Sequence, residues 1–309
     1  MKVVRAKVLG FCMGVRRAVE MADEAISAAP AFSIYTLGPL IHNPQALASL
    51  LKRGVKILDE AELFTVLPPG GRLFEGTAVI IRAHGISPET EQMFRGQGAR
   101  IIDATCPRVK ASQNTARILA EQGYRIFLAG EKDHAEIKGI YGYIMAGTLT
   151  NKPVPVFASE IVCSIVGNPE DADRAACELR KIAESNAIKT ALIGQTTVSE
   201  DEYRSIAEAI KKYFPDVEVK DTICGATQDR QNALKELCNT VDAVIIAGGK
   251  NSANTRRLLS IAQSCGKPAW LAESASDLNA DVKAFAAVGL SAGASTPDHV
   301  IDEVERALL

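Results

Sequence analysis

The sequence predicts an α/β protein made of three small parallel strand–helix modules. Two observations predict it. Apolar runs of four to eight residues alternate with longer amphipathic stretches along the whole chain, the pattern of parallel strands joined by helices. The chain also repeats itself: IIDATCPRVKASQNTARILAEQGYRIFLAG aligns without a gap on VKDTICGATQDRQNALKELCNTVDAVIIAG.

Taken in order, VVRAKVL opens as a buried strand, and CMGVRRAVEMADEAISAA carries helical spacing. AVIIRA and ARIID are strands, followed by the helical RVKASQNTARILAEQ. YRIFLAG and KTALIG are strands, then comes the amphipathic SEDEYRSIAEAIKKYF. VEVKD, DAVIIAGG and KAFAAVGL complete the strands, with TQDRQNALKELCNT and DHVIDEVERALL as helices. The strands are nearly continuous in apolar residues because both faces of a parallel sheet are covered. The helices are apolar on one stripe only.

Of 309 residues, 47% are hydrophobic and 23% charged, with a formal net charge of -2. That balance excludes a disordered or collagen-like chain, and a broad basic surface for nucleic acid is not expected. MKVVRAKVLGFC lacks the apolar core and cleavage site of a signal peptide. No apolar run approaches the roughly 18 residues of a membrane helix, so the expected location is cytoplasmic. The seven cysteines contain no CxxC pair, and disulfides are disfavoured in that compartment.

The repeat singles out particular residues. Cys106 to Gly130 is 24 residues and Cys224 to Gly248 is also 24, while Cys12 to Gly38 is a looser 26. Four residues after each glycine stands His42, His134 or Ser252. Further polar strand-end turns occur at His84 (RAHG), Thr196 (GQTT) and Ser295 (SAGAS). The expected modules are 15–105, 106–223, and 224–309 with 1–14, placed about a pseudo-threefold axis. Ligands in parallel sheets bind beyond the carboxyl ends of the strands, so the three cysteines and the polar loops would meet at a central cavity.

Three convergent thiolates suit a soft metal or an iron–sulfur cluster, and three ligands leave one iron of a [4Fe–4S] cluster open. Three inert buried thiols are the plain alternative. Cys163, Cys177, Cys238 and Cys265 lack the strand-end context and are expected to be core or surface residues. The histidines would bind an anion as charge-assisted donors. Ser252 and Asn254 fit either a helix cap or an anion-binding turn. Glu136, placed in one loop with His134, fits either a proton donor or a solvated surface group. No Walker A or GxGxxG motif supports a nucleotide cofactor.

The ordered set GFCMGVRRAVE, IHNP, RAHG, DATCP, DHAEIKG, GQTT, DTICGAT, KNSAN and SAGASTP resembles the 4-hydroxy-3-methylbut-2-enyl diphosphate reductases. They are the last enzymes of the methylerythritol phosphate route to isoprenoid precursors. The resemblance runs from residue 10 to residue 297. It implies a trefoil of three α/β modules with a [4Fe–4S] cluster ligated by Cys12, Cys106 and Cys224. It implies that His42, His84, His134, Ser252, Asn254 and Ser295 hold the substrate diphosphate. Thr196 and Glu136 would handle the allylic hydroxyl and its proton, and Thr227 would lie near the cluster. Electrons would come from a ferredoxin or flavodoxin. Ala135 and Ala253 stand where the family commonly has proline and serine. Two other classes remain: a zinc hydrolase acting on a diphosphate ester, and a non-catalytic diphosphate sensor.

Overall fold

The computed structural model describes residues 1–28, 32–41, 43–59, 73–149, 162–182, 188–250 and 252–309. The elements begin with β1 (Lys2–Arg5), α1 (Met13–Ala28), β2 (Ser33–Leu37), α2 (Pro44–Lys52) and β3 (Val55–Leu58). They continue with β4 (Thr77–Ile81), α3 (Pro88–Gly96), β5 (Arg100–Asp103), α4 (Pro107–Glu121), β6 (Arg125–Ala129) and α5 (Ala135–Leu149). Next come β7 (Cys163–Val166), α6 (Pro169–Ile182), β8 (Thr190–Gly194), α7 (Glu200–Lys211), β9 (Glu218–Val219) and α8 (Gly225–Cys238). The last are β10 (Ala243–Ala247), α9 (Ala253–Ser264), β11 (Ala269–Ala272), β12 (Ala287–Ala292) and α10 (Asp298–Leu308). Between β11 and β12 lie two short 3₁₀ turns, so KAFAAVGL begins in a turn and becomes strand at Ala287.

The strands form three small sheets in which the described pairings are parallel, which is the α/β class the sequence predicts. The chain divides into two compact units, Met1–Val66 with Gly225–Leu309, and Leu67–Cys224. The first holds the sheet β1-β12-β10-β11 and the pair β2–β3. The second holds the sheet β7-β6-β8-β9 and the pair β4–β5.

Each complete sheet is buried on both faces, and alternation along one strand sorts the side chains. In the first unit, Val244 and Ile246 of β10 pack with Leu234 and Leu237 of α8 and Leu258 of α9. Ile245 and Ala247 face the other way, onto Ile301 and Val304 of α10. In the second unit, Ile126 and Leu128 of β6 pack with Ile137, Ile140 and Ile144 of α5, while Phe127 and Ala129 meet α6 and α7. The two-sided cover explains why these strands read as unbroken apolar runs.

The repeated glycines end strands in the same way. Gly38, Gly130 and Gly248 each donate a backbone N–H to the last residue of the neighbouring strand, Leu58, Val166 and Ala272, at 2.8, 3.0 and 2.9 Å. Gly130 and Gly248 hold φ of 151° and 141°, a region that L side chains avoid. A Cβ there would also lie 2.6 Å from Gln195 Oε1 or Thr296 Oγ1, respectively. The chain thus turns sharply out of the sheet into the loop that carries the next polar residue.

Candidate active site

Cys12, Cys106 and Cys224 occupy one structural position three times. Each immediately precedes a helix, α1, α4 and α8 respectively. Each also donates its backbone N–H to the carbonyl two residues beyond a strand end. Cys106 bonds Ala83 after β4 at 2.9 Å, Cys224 bonds Thr196 after β8 at 2.8 Å, and Cys12 bonds Ala294 after β12 at 3.1 Å. All three are half-buried. A helix N-terminus stabilises negative charge, and the thiolate is the form that ligates metal. By donor chemistry the three therefore fit a soft metal centre. Among the described residues no three His, Cys, Asp or Glu side chains are gathered closely enough to hold a metal ion.

The other cysteines have different surroundings. Cys163 and Cys238 sit in hydrophobic clusters, where burial pushes their thiols up to about 12 and about 11. Cys177 is half-buried on α6, and Cys265 is exposed at the end of α9.

In the second unit, Glu136 meets Thr196. Glu136 is 1% exposed and Thr196 6%. The backbone N–H of Thr196 donates to Glu136 Oε1 at 2.7 Å, and its hydroxyl donates to Oε2 at 3.0 Å. Burial pushes the carboxyl up to about 7 even though both Thr196 bonds favour the charged form. A carboxyl poised near neutrality next to a hydroxyl can hold and deliver a proton. This excludes the solvated surface group for Glu136. It also corrects its placement: only His134 is in the loop, while Glu136 lies in the first turn of α5.

His134 caps that turn, its Nδ1 accepting from the Glu136 backbone N–H at 3.2 Å. A nitrogen that accepts leaves Nε2 as the donor of a neutral ring. The His84 ring stands edge-on to His134, with centroids 5.1 Å apart at 85°. Gln195 fixes the loop before His134, its Oε1 accepting from the Glu131 backbone N–H at 3.0 Å. Sequence reasoning passed over Gln113, whose buried Nε2 has no hydrogen-bond partner. That amide lies where a Cβ on Gly85 or Gly139 would sit, at 2.3 and 3.1 Å. The available signal was the repeat, which matches Gln113 with Gln231 seven residues after Cys106 and Cys224.

In the first unit, Ser252 is the N-cap of α9, its hydroxyl accepting from the Thr255 backbone N–H at 3.3 Å. Two residues on, both side-chain polar atoms of Asn254 are shielded from solvent without a partner. An unpaired buried amide costs about 1–3 kcal/mol, which an incoming anion would recover at Nδ2. Ser295 is half-buried in the loop after β12, beside the buried Thr296, whose hydroxyl donates to Ala247 at 3.0 Å. Thr227 is half-buried in the first turn of α8. His42 lies outside the described residues.

The Glu136 environment sets a pH dependence. The ordinary carboxyl value is 4.5, so above it the unfolded chain has lost a proton that the folded chain keeps to about pH 7. The folded state binds more protons across that window, and stability falls as pH rises through it. The loss is on the order of 3 kcal/mol. Glu136→Gln cannot titrate, so its stability relative to wild type should rise between pH 4.5 and 8. Urea unfolding at both pH values checks this, and a difference that stays constant would refute the buried, raised carboxyl.

Fold and site together define a parallel α/β protein with three helix-start cysteines, polar strand-end loops and a buried carboxyl–hydroxyl pair. The LytB protein family model matches residues 3–309, and the chain belongs to that family. It is 44% identical to the 4-hydroxy-3-methylbut-2-enyl diphosphate reductase of Treponema denticola, covering 100% of this chain and 99% of the relative. It is 38% identical to the enzyme of that name from Aquifex aeolicus, covering 98% and 94%. A solved structure titled as (E)-4-hydroxy-3-methyl-but-2-enyl diphosphate reductase, the terminal enzyme of the non-mevalonate pathway, is similar with TM-score 0.72 and 36% identity over 100% of this chain and 99% of the other. The Plasmodium falciparum reductase structure gives TM-score 0.79 and 28% identity, covering 99% and 87%. No helix among the described residues is long and apolar enough to cross a membrane.

Proposed function

We propose that the chain is a cytoplasmic reductase that converts 4-hydroxy-3-methylbut-2-enyl diphosphate to isopentenyl and dimethylallyl diphosphate. The observation that carries the proton chemistry is the buried Glu136 carboxyl hydrogen-bonded to the Thr196 hydroxyl. Two electrons and two protons replace the allylic C–O bond with C–H and release water. A [4Fe–4S] cluster held by Cys12, Cys106 and Cys224 would supply single electrons and Lewis acidity. A small redox protein, ferredoxin or flavodoxin, would deliver the electrons. Of the modules, 106–223 would contribute Cys106 and 224–309 with 1–14 would contribute Cys12 and Cys224, while 15–105 would carry His42 and His84.

The chain's own residues divide the remaining work. His84 and His134, with His42, Ser252, Asn254 and Ser295, donate to the diphosphate oxygens. The Thr196 hydroxyl turns between acceptor from Glu136 and donor to the substrate hydroxyl, so the proton leaves Glu136 Oε2 and reaches the departing oxygen. Seated substrate covers the pair and keeps bulk water from competing for that proton.

The test is anaerobic purification followed by iron and acid-labile sulfide analysis and turnover with a reduced one-electron donor. Zinc in place of iron and sulfide would favour the hydrolase; diphosphate binding without turnover would favour the sensor. For the anion subsite, Asn254→Ala should weaken substrate binding by about tenfold or more. The same change should not lower the stability of the ligand-free protein, because the amide has no partner there. Calorimetric titration and thermal unfolding read the two effects, and unchanged affinity would remove Asn254 from the subsite.

A further inference from the structure

The residue two positions before each cysteine is tethered, and at Cys12 the tether is of a different kind. Ala104 donates its backbone N–H to Ile81 at 3.1 Å. The Thr222 hydroxyl donates to the Gly194 carbonyl at 3.0 Å and accepts from the Gly194 N–H at 2.8 Å. The corresponding residue before Cys12 is Gly10, and its carbonyl is held by a side chain. Arg230 Nη2 donates to it at 2.8 Å, while Nη1 donates to the Ala226 carbonyl in the first turn of α8 at 2.7 Å. Arg230 is 3% exposed. On its other side the Gly10 turn rests on α10. It adopts φ of +76°, and a Cβ there would lie 2.8 Å from Ile301 Cδ1.

From this we infer that Arg230 is a positioning residue for Cys12, a guanidinium clamp joining the Gly10–Cys12 turn to the helix that follows Cys224. A guanidinium is always charged, and its planar fork can bond two carbonyls at once in fixed geometry. Lysine reaches one carbonyl at a time. A cysteine on a turn already held in place loses little freedom on ligation, and partners behind a metal ligand are typically worth about 10–100-fold in metal affinity. The inference rests on the ligand role of Cys12 proposed above, but the clamp itself can be measured without metal.

The experiment compares wild type, Arg230→Lys and Arg230→Met as full-length protein. In the metal-free proteins, amide hydrogen exchange is followed across residues 10–13. In anaerobically loaded protein, iron release to a chelator is timed and the spectrum of the reduced centre recorded. Arg230→Met should exchange faster at residues 10–13, release iron about 10–100-fold faster and shift the spectrum. Arg230→Lys should fall between. Wild-type exchange at residues 10–13 in both variants would overturn the clamp, as would lower thermal stability with unchanged exchange and iron release. If Arg230→Met does not fold, Arg230→Lys decides by whether faster exchange is confined to residues 10–13 or spread along α8. A wild-type protein that binds no iron would defeat the cluster proposal, while the exchange measurement would still decide the clamp.

Discussion

Replacing Cys12, Cys106 or Cys224 with serine is expected to strip iron and sulfide from the protein and abolish turnover. Serine keeps the size and the helix-start position but offers a hard oxygen in place of a soft thiolate. Each cysteine is half-buried and tied by its backbone N–H to a strand-end loop, so the serine would hold its oxygen where the thiolate stood. The same change at Cys163, Cys177, Cys238 or Cys265 should leave iron content and rate largely intact. Two of these are packed in hydrophobic clusters, and their loss is felt as stability. Iron and sulfide analysis with rate measurement separates the groups. Loss of iron on replacing any of the second four would overturn the ligand assignment.

The glycine and cysteine spacings were readable because they report backbone geometry directly. Gly130 and Gly248 mark the same turn out of a sheet, and Cys106 and Cys224 the same helix start, so a gapless alignment found them. Alternation and apolar runs placed β6, β8, β10 and β12 for the same reason: both faces of these strands are buried. Helix α5 was harder. AEIKGIYGYIMAGTL is apolar nearly all round and contains three glycines, which reads as neither an amphipathic helix nor a strand. Its helix is made by close packing: a Cβ on Gly147 would lie 2.6 Å from the Arg117 carbonyl, and one on Gly142 2.3 Å from Ser87 Cβ. Glu136, two residues from His134, reads in the sequence as part of the same loop. Arg230 gives no sequence signal, because it bonds to backbone carbonyls; Gln113 is marked only by the repeat that matches it with Gln231.

Glu136→Gln is expected to slow turnover by at least about a hundredfold while leaving substrate affinity and electron acceptance near normal. The amide keeps the size of the carboxyl and its reach to Thr196, but it cannot deliver a proton to a leaving hydroxide. General acid catalysis is typically worth about 10²–10⁴-fold. With electron delivery in excess, pre-steady-state kinetics should show substrate accumulating before C–O cleavage. The wild-type rate should fall as pH rises through about 7, where the carboxyl ionises, and the mutant should lack that step. A mutant retaining most of the wild-type rate would take the acid role away from Glu136.

The pairing of β1 with β12, Lys2 with Ala287 through Arg5 with Leu290, bears on the order of events during synthesis. β1 is made well before its partner strand, which follows only after the whole of the second unit. At ribosomal rates of about 5–20 residues per second the wait is on the order of tens of seconds. During it the turn carrying Cys12 has neither Ala294 nor Arg230 to hold it, while the compact unit Leu67–Cys224, with Cys106 and Cys224, is already made. The Cys12 thiol is therefore the last of the three to be fixed in place. Oxygen reaching the nascent chain threatens that cysteine for longest, and any centre that needs all three thiols has to await the synthesis of β12.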